Sequence, residues 1–350
     1  MNKLRQSPTV LTILLFVYVI VVHTQEEVPL AKGDFNPTWS PDGTQIAFES
    51  WRGGNADVWI YDFAADTIVN LTSSHIGNDY APEWLPDQSG IIYVSERDDT
   101  TDLFLMYLPT LEKVNLTNTP SVMEFAPDLS SDGQYLAYAS RIGDKQDIIV
   151  LNLQTRETIN ITENEPINYS GVPDWHPFEN TFTFATDPIS GGTTIWMATP
   201  TGEPRELTID GLETSPIWSP NGDQFAMVSR RNDNLDVWIY EPESDSYTNL
   251  TEENLRLDAD ASWSPDGSSI AYMAFSTDTP IIRNLWTINL ETGVKRNLTN
   301  GNLQVDTPVW SPVDDRIAFV SFKGFTTIWV ISADGTNPIN LTGKFAEIIE

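Results

Sequence analysis

Two bulky-residue slots twenty positions apart, recurring about every forty-five residues, constrain this chain more than any other feature. The first slot sits in a near-copy of Pro-x-Trp-Ser-Pro-Asp-Gly, at Pro37-Thr38-Trp39-Ser40-Pro41-Asp42-Gly43. It returns at Trp84, Trp175, Trp218, Trp263 and Trp310, with Leu129 in the third unit. The second slot holds Trp59, Phe104, Ile149, Trp196, Trp238, Trp286 and Trp329. Each unit closes on Leu-Thr or Ile-Thr, at Thr72, Thr117, Thr162, Thr208, Thr251, Thr299 and Thr342. A period of this size marks a repeat architecture whose single unit cannot bury its apolar face alone.

Each unit reads as four short strands. In the first unit an extended segment runs through Trp39 into Ser-Pro-Asp-Gly, where proline presets φ and glycine takes the positive φ of a tight turn. A short apolar run follows (Ile46-Ala47-Phe48), then a polar loop, then Asp57-Val58-Trp59-Ile60-Tyr61, rich in strand formers. Asn-Leu-Thr ends the unit. Nothing of helical period intervenes, so the expected fold class is all-β: a seven-bladed β-propeller of four-stranded antiparallel blades. Of the 12 tryptophans, 11 occupy the two slots, which assigns them to the core between blades rather than to a ligand platform. If the first strand descends along the axis, the turns between strands one and two and between three and four lie on the bottom face. The loops between strands two and three, and the crossovers between blades, then lie on the top face, where length varies and function concentrates.

Residues 1–24 stand apart: Lys3 and Arg5 precede a run of apolar residues from Val10 to Val22. That is the pattern of a secretory signal, short for a membrane span, with an uncleaved N-terminal anchor as the alternative because Thr24 is a poor cleavage residue. The expected organisation is a signal at 1–24, one propeller over 27–342 and a C-terminal tail at 343–350. The expected location is periplasmic or secreted by bacterial export, with membrane contact only if the N-terminal segment is retained. No cysteine is present, which excludes disulfides, thiol catalysis and cysteine-held metals. The net charge of −31 repels nucleic acid and attracts cations and basic surfaces.

The succession Trp-Ser-Pro-Asp-Gly, Ile-Ala-Phe, Asp-Val-Trp and Leu-Thr resembles the WD40-like (PD40) propeller repeat of the TolB family, over all seven units. The resemblance implies a propeller acting in the cell envelope on a protein, peptide or glycan. TolB itself resembles a six-bladed propeller behind a mixed α/β domain, so its own role is not carried over. Propeller-bearing serine peptidases are similar too, yet no Gly-x-Ser-x-Gly elbow occurs in these repeats.

Chemistry is sparse by composition. There are three histidines: His23 in the leader, His75 in a crossover and His176 in the fourth unit's turn, where other units have Ser. A triad or a histidine metal site is hard to build from the last two, which belong to opposite faces. The Asp of each turn (Asp42, Asp132, Asp266) and the Asp preceding strand three (Asp57, Asp102, Asp147, Asp236) recur with the fold and are read as structural. The repeated Asn of Asn-x-Thr is read the same way rather than as a sugar acceptor.

One recurring position invites a functional reading. Five residues before the first slot stand Asp34, Asp79, Glu124, Ser170, Glu213, Asp258 and Val305, five of the seven acidic. Either they cap the first strand of each blade, or they form a top-face ring able to hold Ca²⁺ or a basic segment. Crowding of like charge in such a ring is expected to raise its carboxyl pKa values. Trp51 and Arg52, beside a Gly-Gly pair, add a candidate exposed hot spot. The expected protein is a monomeric, non-catalytic binding module without an obligatory cofactor and without nucleic acid as partner. The alternative is an extracellular hydrolase or lyase using carboxylates at the channel mouth.

Overall fold

The computed structural model describes residues 33–345 apart from 99, 166, 189–191, 209–211, 253–255, 277–281 and 323–324. The expected leader at 1–24, the N-terminal stretch 28–31 and the last five residues of the tail lie outside the described residues. The first blade is an antiparallel sheet of β1 (Asp34–Trp39), β2 (Gln45–Ser50), β3 (Asp57–Asp62) and β4 (Thr67–Asn70), in that order. The same four-strand order recurs six more times among the described residues, ending at Ile339–Asn340. The second and third sets are joined by a single parallel bridge, Thr101 to Met123. The first strands of successive sets touch one another in a closed cycle, including last to first, so they line a common axis.

The repeated residues explain the blade. In the first turn Ser40 Oγ and the Thr44 amide both donate to Asp42 Oδ1, at 2.8 and 3.0 Å. Those bonds, the Thr44 amide foremost, hold the Asp42 carboxyl below its ordinary value. Gly43 sits at φ 68°, and a Cβ there would meet Val313 of the last blade at 2.4 Å, so glycine is required twice over. At the outer edge the closing threonine acts as a clasp. In each blade the residue just before the second slot donates its amide to that threonine's Oγ1, from Val58 to Thr72 at 3.0 Å through Ile328 to Thr342 at 2.9 Å. Asp57 accepts from Asn70 at 2.8 Å and from Thr72 at 3.1 Å, and Asp102 and Asp147 repeat the pattern.

Between blades the framework tryptophans do the packing. Trp39, Trp84, Trp175, Trp218, Trp263 and Trp310 are all buried, and four of them send the indole N–H to a backbone carbonyl of the preceding blade. Trp39 thereby bonds Val309 O at 3.0 Å and stitches the first blade to the last. The last blade takes its outer strand from the C-terminal side, with Val330 opposite Ile339 and Trp329 opposite Asn340. The expected loose tail is corrected at its start: Gly343–Phe345 form a 3-10 turn, and Phe345 packs against the first-blade cluster.

Repeat spacing did not foreshadow one feature. Register shifts in the inner strands coincide with non-glycine residues at positive φ, namely Asn36, Ala81, Ala126, Ser215, Asp260 and Thr307, each three residues before its framework slot. A bulge of this kind bends the strand and re-aims its side chains. Here it falls on the strands that line the axis.

Candidate functional site

The five acids singled out in the sequence share one structural position. Asp34, Asp79, Glu124, Glu213 and Asp258 begin or nearly begin the inner strand of their blades, at the crossover side, and all five are buried. The chain enters each blade there by bonding the one before it: Asp79 N donates to Ala56 O, Asp258 N to Leu235 O and Asp34 N to Thr326 O, at 2.8 to 3.0 Å. The side chains take different partners from blade to blade, and Asp79, Glu124 and Glu213 each keep one buried oxygen without a hydrogen bond. Arg52 pairs with Asp34, Arg231 with Glu213 and His75 with Asp79, while Glu124 accepts from the Thr119 hydroxyl.

That arrangement corrects two expectations. These acids do not present an open ring to solvent, because each is enclosed with its own partners. Burial is also the foremost cause raising the carboxyl pKa of Asp79, Glu124 and Glu213, whereas neighbouring acids contribute little. Nor are Trp51 and Arg52 an exposed pair. Arg52 is engaged by Asp34 and Ser50 and reaches Thr342 O of the last blade at 3.4 Å, so it fastens the ring closure. Trp51 is half-buried and donates its indole N–H to Glu49 at 2.7 Å.

His176 takes the turn role read for it. Its Nδ1 accepts amides from Phe178 and Glu179, and Nε2 lies 3.0 Å from Gly222 O in the next blade. The ring stands edge-on to Trp218.

A different set of carboxylates borders the axis. Glu83, Asp128 and Asp174 each precede the framework slot on the inner strands of blades two, three and four. Asp128 Oδ2 accepts the Trp175 amide at 2.8 Å and Asp174 Oδ2 the Trp218 amide at 2.6 Å. All three are half-buried, since the channel leaves them some surface while protein surrounds each carboxyl. Desolvation, followed for Glu83 and Asp174 by repulsion within the set, lifts those two well above the ordinary range. Burial pushes Asp128 up to about 7. Across the axis Asp260, on a bulge, is likewise raised to about 7 by burial and then by Asp306, which Arg283 contacts at 3.2 Å. Towards the bottom face the channel widens into a cavity of about 440 Å³ bordered by Thr38, Glu83, Trp39, Trp84 and Trp310. Among the described residues no group of three or more acidic or histidine side chains is placed to hold a metal ion.

Sequence reading passed over Glu83, Asp128 and Asp174. The signal was available: the position before the framework slot is acidic in three consecutive units.

A family model for the TolB beta propeller domain (PD40) matches residues 81–314. The chain belongs to that family. Among curated relatives, this TolB-type propeller is 30% identical to dipeptidyl-peptidase 5 of Porphyromonas gingivalis over 165 residues, 43% of this chain and 23% of the peptidase. It is 28% identical to the TolB homologue of Chlorobaculum tepidum over 162 residues, 44% of this chain and 36% of that protein. The matched stretches thus span well under half of those relatives. Among solved structures, an oligogalacturonate lyase from Vibrio parahaemolyticus aligns with TM-score 0.69 at 18% identity, over 86% of this chain and 89% of the lyase. A puromycin-hydrolyzing peptidase from Mycobacterium tuberculosis aligns with TM-score 0.71 at 12% identity, over 88% of this chain and 53% of the peptidase. These matches correct the expectation of a non-enzyme: a lyase and peptidases carry this propeller architecture, so the fold gives no ground for excluding catalysis. No described helix is long and apolar enough to cross a membrane.

Proposed function

We propose that this TolB-type propeller engages a polypeptide in the cell envelope, through its central channel and the bottom-face mouth. The observation that carries the reading is the channel wall: Glu83, Asp128, Asp174, Asp260 and Asp306 border the axis, with Arg283 against Asp306 as counter-charge. A cationic segment entering that channel would offset the repulsion that adds to desolvation at Glu83, Asp174 and Asp260. The cavity at the mouth, with Trp39, Trp84 and Trp310 in its wall, gives the same ligand an apolar contact surface. Curated relatives named as a peptidase and as a TolB homologue support polypeptide over glycan as the ligand class. An exported location follows from the leader-like pattern in residues 1–24.

The test is binding of Lys/Arg-rich, neutral and Glu-rich peptides to the protein and to a Glu83→Gln, Asp128→Asn, Asp174→Asn variant. Basic peptides should bind the protein alone and weaken with salt. Equal binding of all three peptide classes, or an unchanged variant, would refute the reading.

A second reading has the channel act on what it binds. Asp260, raised to about 7 beside Asp306 and Arg283, is placed to exchange a proton near neutral pH, as a general acid–base group must. Assays on oligogalacturonate and on peptides should then show a rate that Asp260→Asn abolishes. Turnover unaltered by that change would remove Asp260 from any reaction.

A further inference from the structure

At two of the junctions between blades a side chain of the preceding blade, six residues after its framework slot, covers the next framework tryptophan. At the closure between the last and first blades, Arg316, six residues after Trp310, reaches onto Trp39 and Phe63. Its guanidinium carbon is 4.6 Å from both ring centroids. One guanidinium nitrogen donates to Gly43 O at 2.6 Å, and Nε donates to Asp314 at 2.8 Å. Between the third and fourth blades the equivalent residue, Tyr135, stacks on Trp175 with centroids 6.2 Å apart. The fold thus contains a slot between neighbouring blades, and in one copy the molecule fills it with its own arginine.

Between the sixth and seventh blades the same slot stands open. The residue at the covering position there is Ser269, and the residue at the position of Phe63 is Ala333, both too short to reach across. A cavity of about 750 Å³ opens on the bottom face, lined by Trp310, Ser269 and Ala333. Its charged lining is five acids, among them Glu291, Asp315 and Asp334, against one base, Arg296. One indole face and a set of acids therefore repeat part of the setting that holds Arg316, without the arginine and without the second ring.

We infer that this groove binds the guanidinium of an arginine presented by a partner polypeptide. The inference deepens the polypeptide reading and rests on it only for the nature of the partner. A planar, weakly hydrated guanidinium stacks on indole and bonds carboxylates in a way that a lysine ammonium does not. Trp310 also borders the channel mouth, so a segment lying in the mouth can place one side chain in the groove.

The probe is a tripeptide, Ala-Arg-Ala, blocked at both ends, with its lysine and citrulline counterparts, followed at the Trp310 indole resonance by NMR at low salt. The arginine peptide should give saturable shifts, the lysine peptide at least fivefold weaker binding, and the citrulline peptide none. A Ser269→Arg, Ala333→Phe variant rebuilds the closure arrangement inside the groove and should weaken the arginine peptide at least tenfold. Should that variant fold poorly by circular dichroism, Glu291→Gln with Asp334→Asn, both at exposed positions, should weaken binding at least threefold. Equal binding of arginine and citrulline, equal binding of arginine and lysine, no saturable shift, or unchanged affinity in the folded variants would overturn the inference. Loss of the groove with retained capture of basic peptides by the channel would strike the inference alone. Loss of both would strike the polypeptide reading.

Discussion

Asp79 and Glu83 lie four residues apart on one inner strand, both in protein surroundings, and they do opposite things. Asp79 is at the crossover edge, where His75 faces it at 3.0 Å. Glu83 is on the channel wall, where its nearest charges are the like charges of Asp128 and Asp174. The comparison holds between the two sets as well. At the edge Asp34, Asp79 and Glu213 are each set against a basic side chain, whereas the channel acids Glu83, Asp128 and Asp174 are set against one another. A buried carboxyl beside a basic partner supports the fold, and buried carboxyls set against one another favour their protonated forms.

Breaking an edge pair tests the first half of the comparison and carries the largest effect. Arg231→Ala leaves Glu213 enclosed without its cation and should cost about 3–5 kcal/mol in urea unfolding. A loss below about 1 kcal/mol would return the edge acids to the list of ligand groups.

The second half predicts an unusual pH response. Asp128 and Asp260 titrate at about 7 in the folded chain against 3.8 as the ordinary value. Folding therefore takes up protons between those limits. The associated stability is complete at low pH within that window and is lost as pH rises through about 7. Melting temperature should accordingly increase from pH 8 to pH 5, by the equivalent of about 2–3 kcal/mol for each of the two carboxyls. A flat or falling profile over that range would mean the channel solvates its carboxylates well.

Neutralising the channel sharpens the contrast further. Asp128→Asn keeps an oxygen for the Trp175 amide while removing one like charge, and should stabilise the protein by about 1 kcal/mol at pH 8. The same change should flatten the pH profile and leave stability at pH 5 nearly unaltered. Destabilisation at pH 8 would show that Asp128 is needed as a charge by the fold itself.

The smallest effect concerns the clasp at the outer edge. Thr72→Val keeps the shape but takes away the acceptor for the Val58 amide, and should cost about 1 kcal/mol, read as a shifted urea midpoint. No shift would mean that the repeated threonine is retained for its methyl group.

Much of this molecule was legible before any coordinates. The six framework tryptophans, the turn aspartates and the closing threonines all play the parts their spacing assigns, because a repeat states the same local requirement several times over. Arg52 shows where such reading stops. Next to Trp51 and two glycines it has the composition of a contact residue, yet it binds Asp34, eighteen positions earlier, and a carbonyl of the last blade. No local rule supplies a partner that ring closure brings from the far end of the chain.

Strand content, strand order within a blade and the identity of the wedge residues were set by sequence alone, through alternation, turn chemistry and the volume of tryptophan. Whether an acid would be matched or opposed was settled only in three dimensions. Asp79, Glu83 and Asp260 are equally acidic in the chain. The bulges and the curvature of the ring decide which meets a histidine, which meets other acids and which faces the axis. Electrostatic consequence depends on distance and dielectric, and both are properties of the closed ring rather than of any repeat within it.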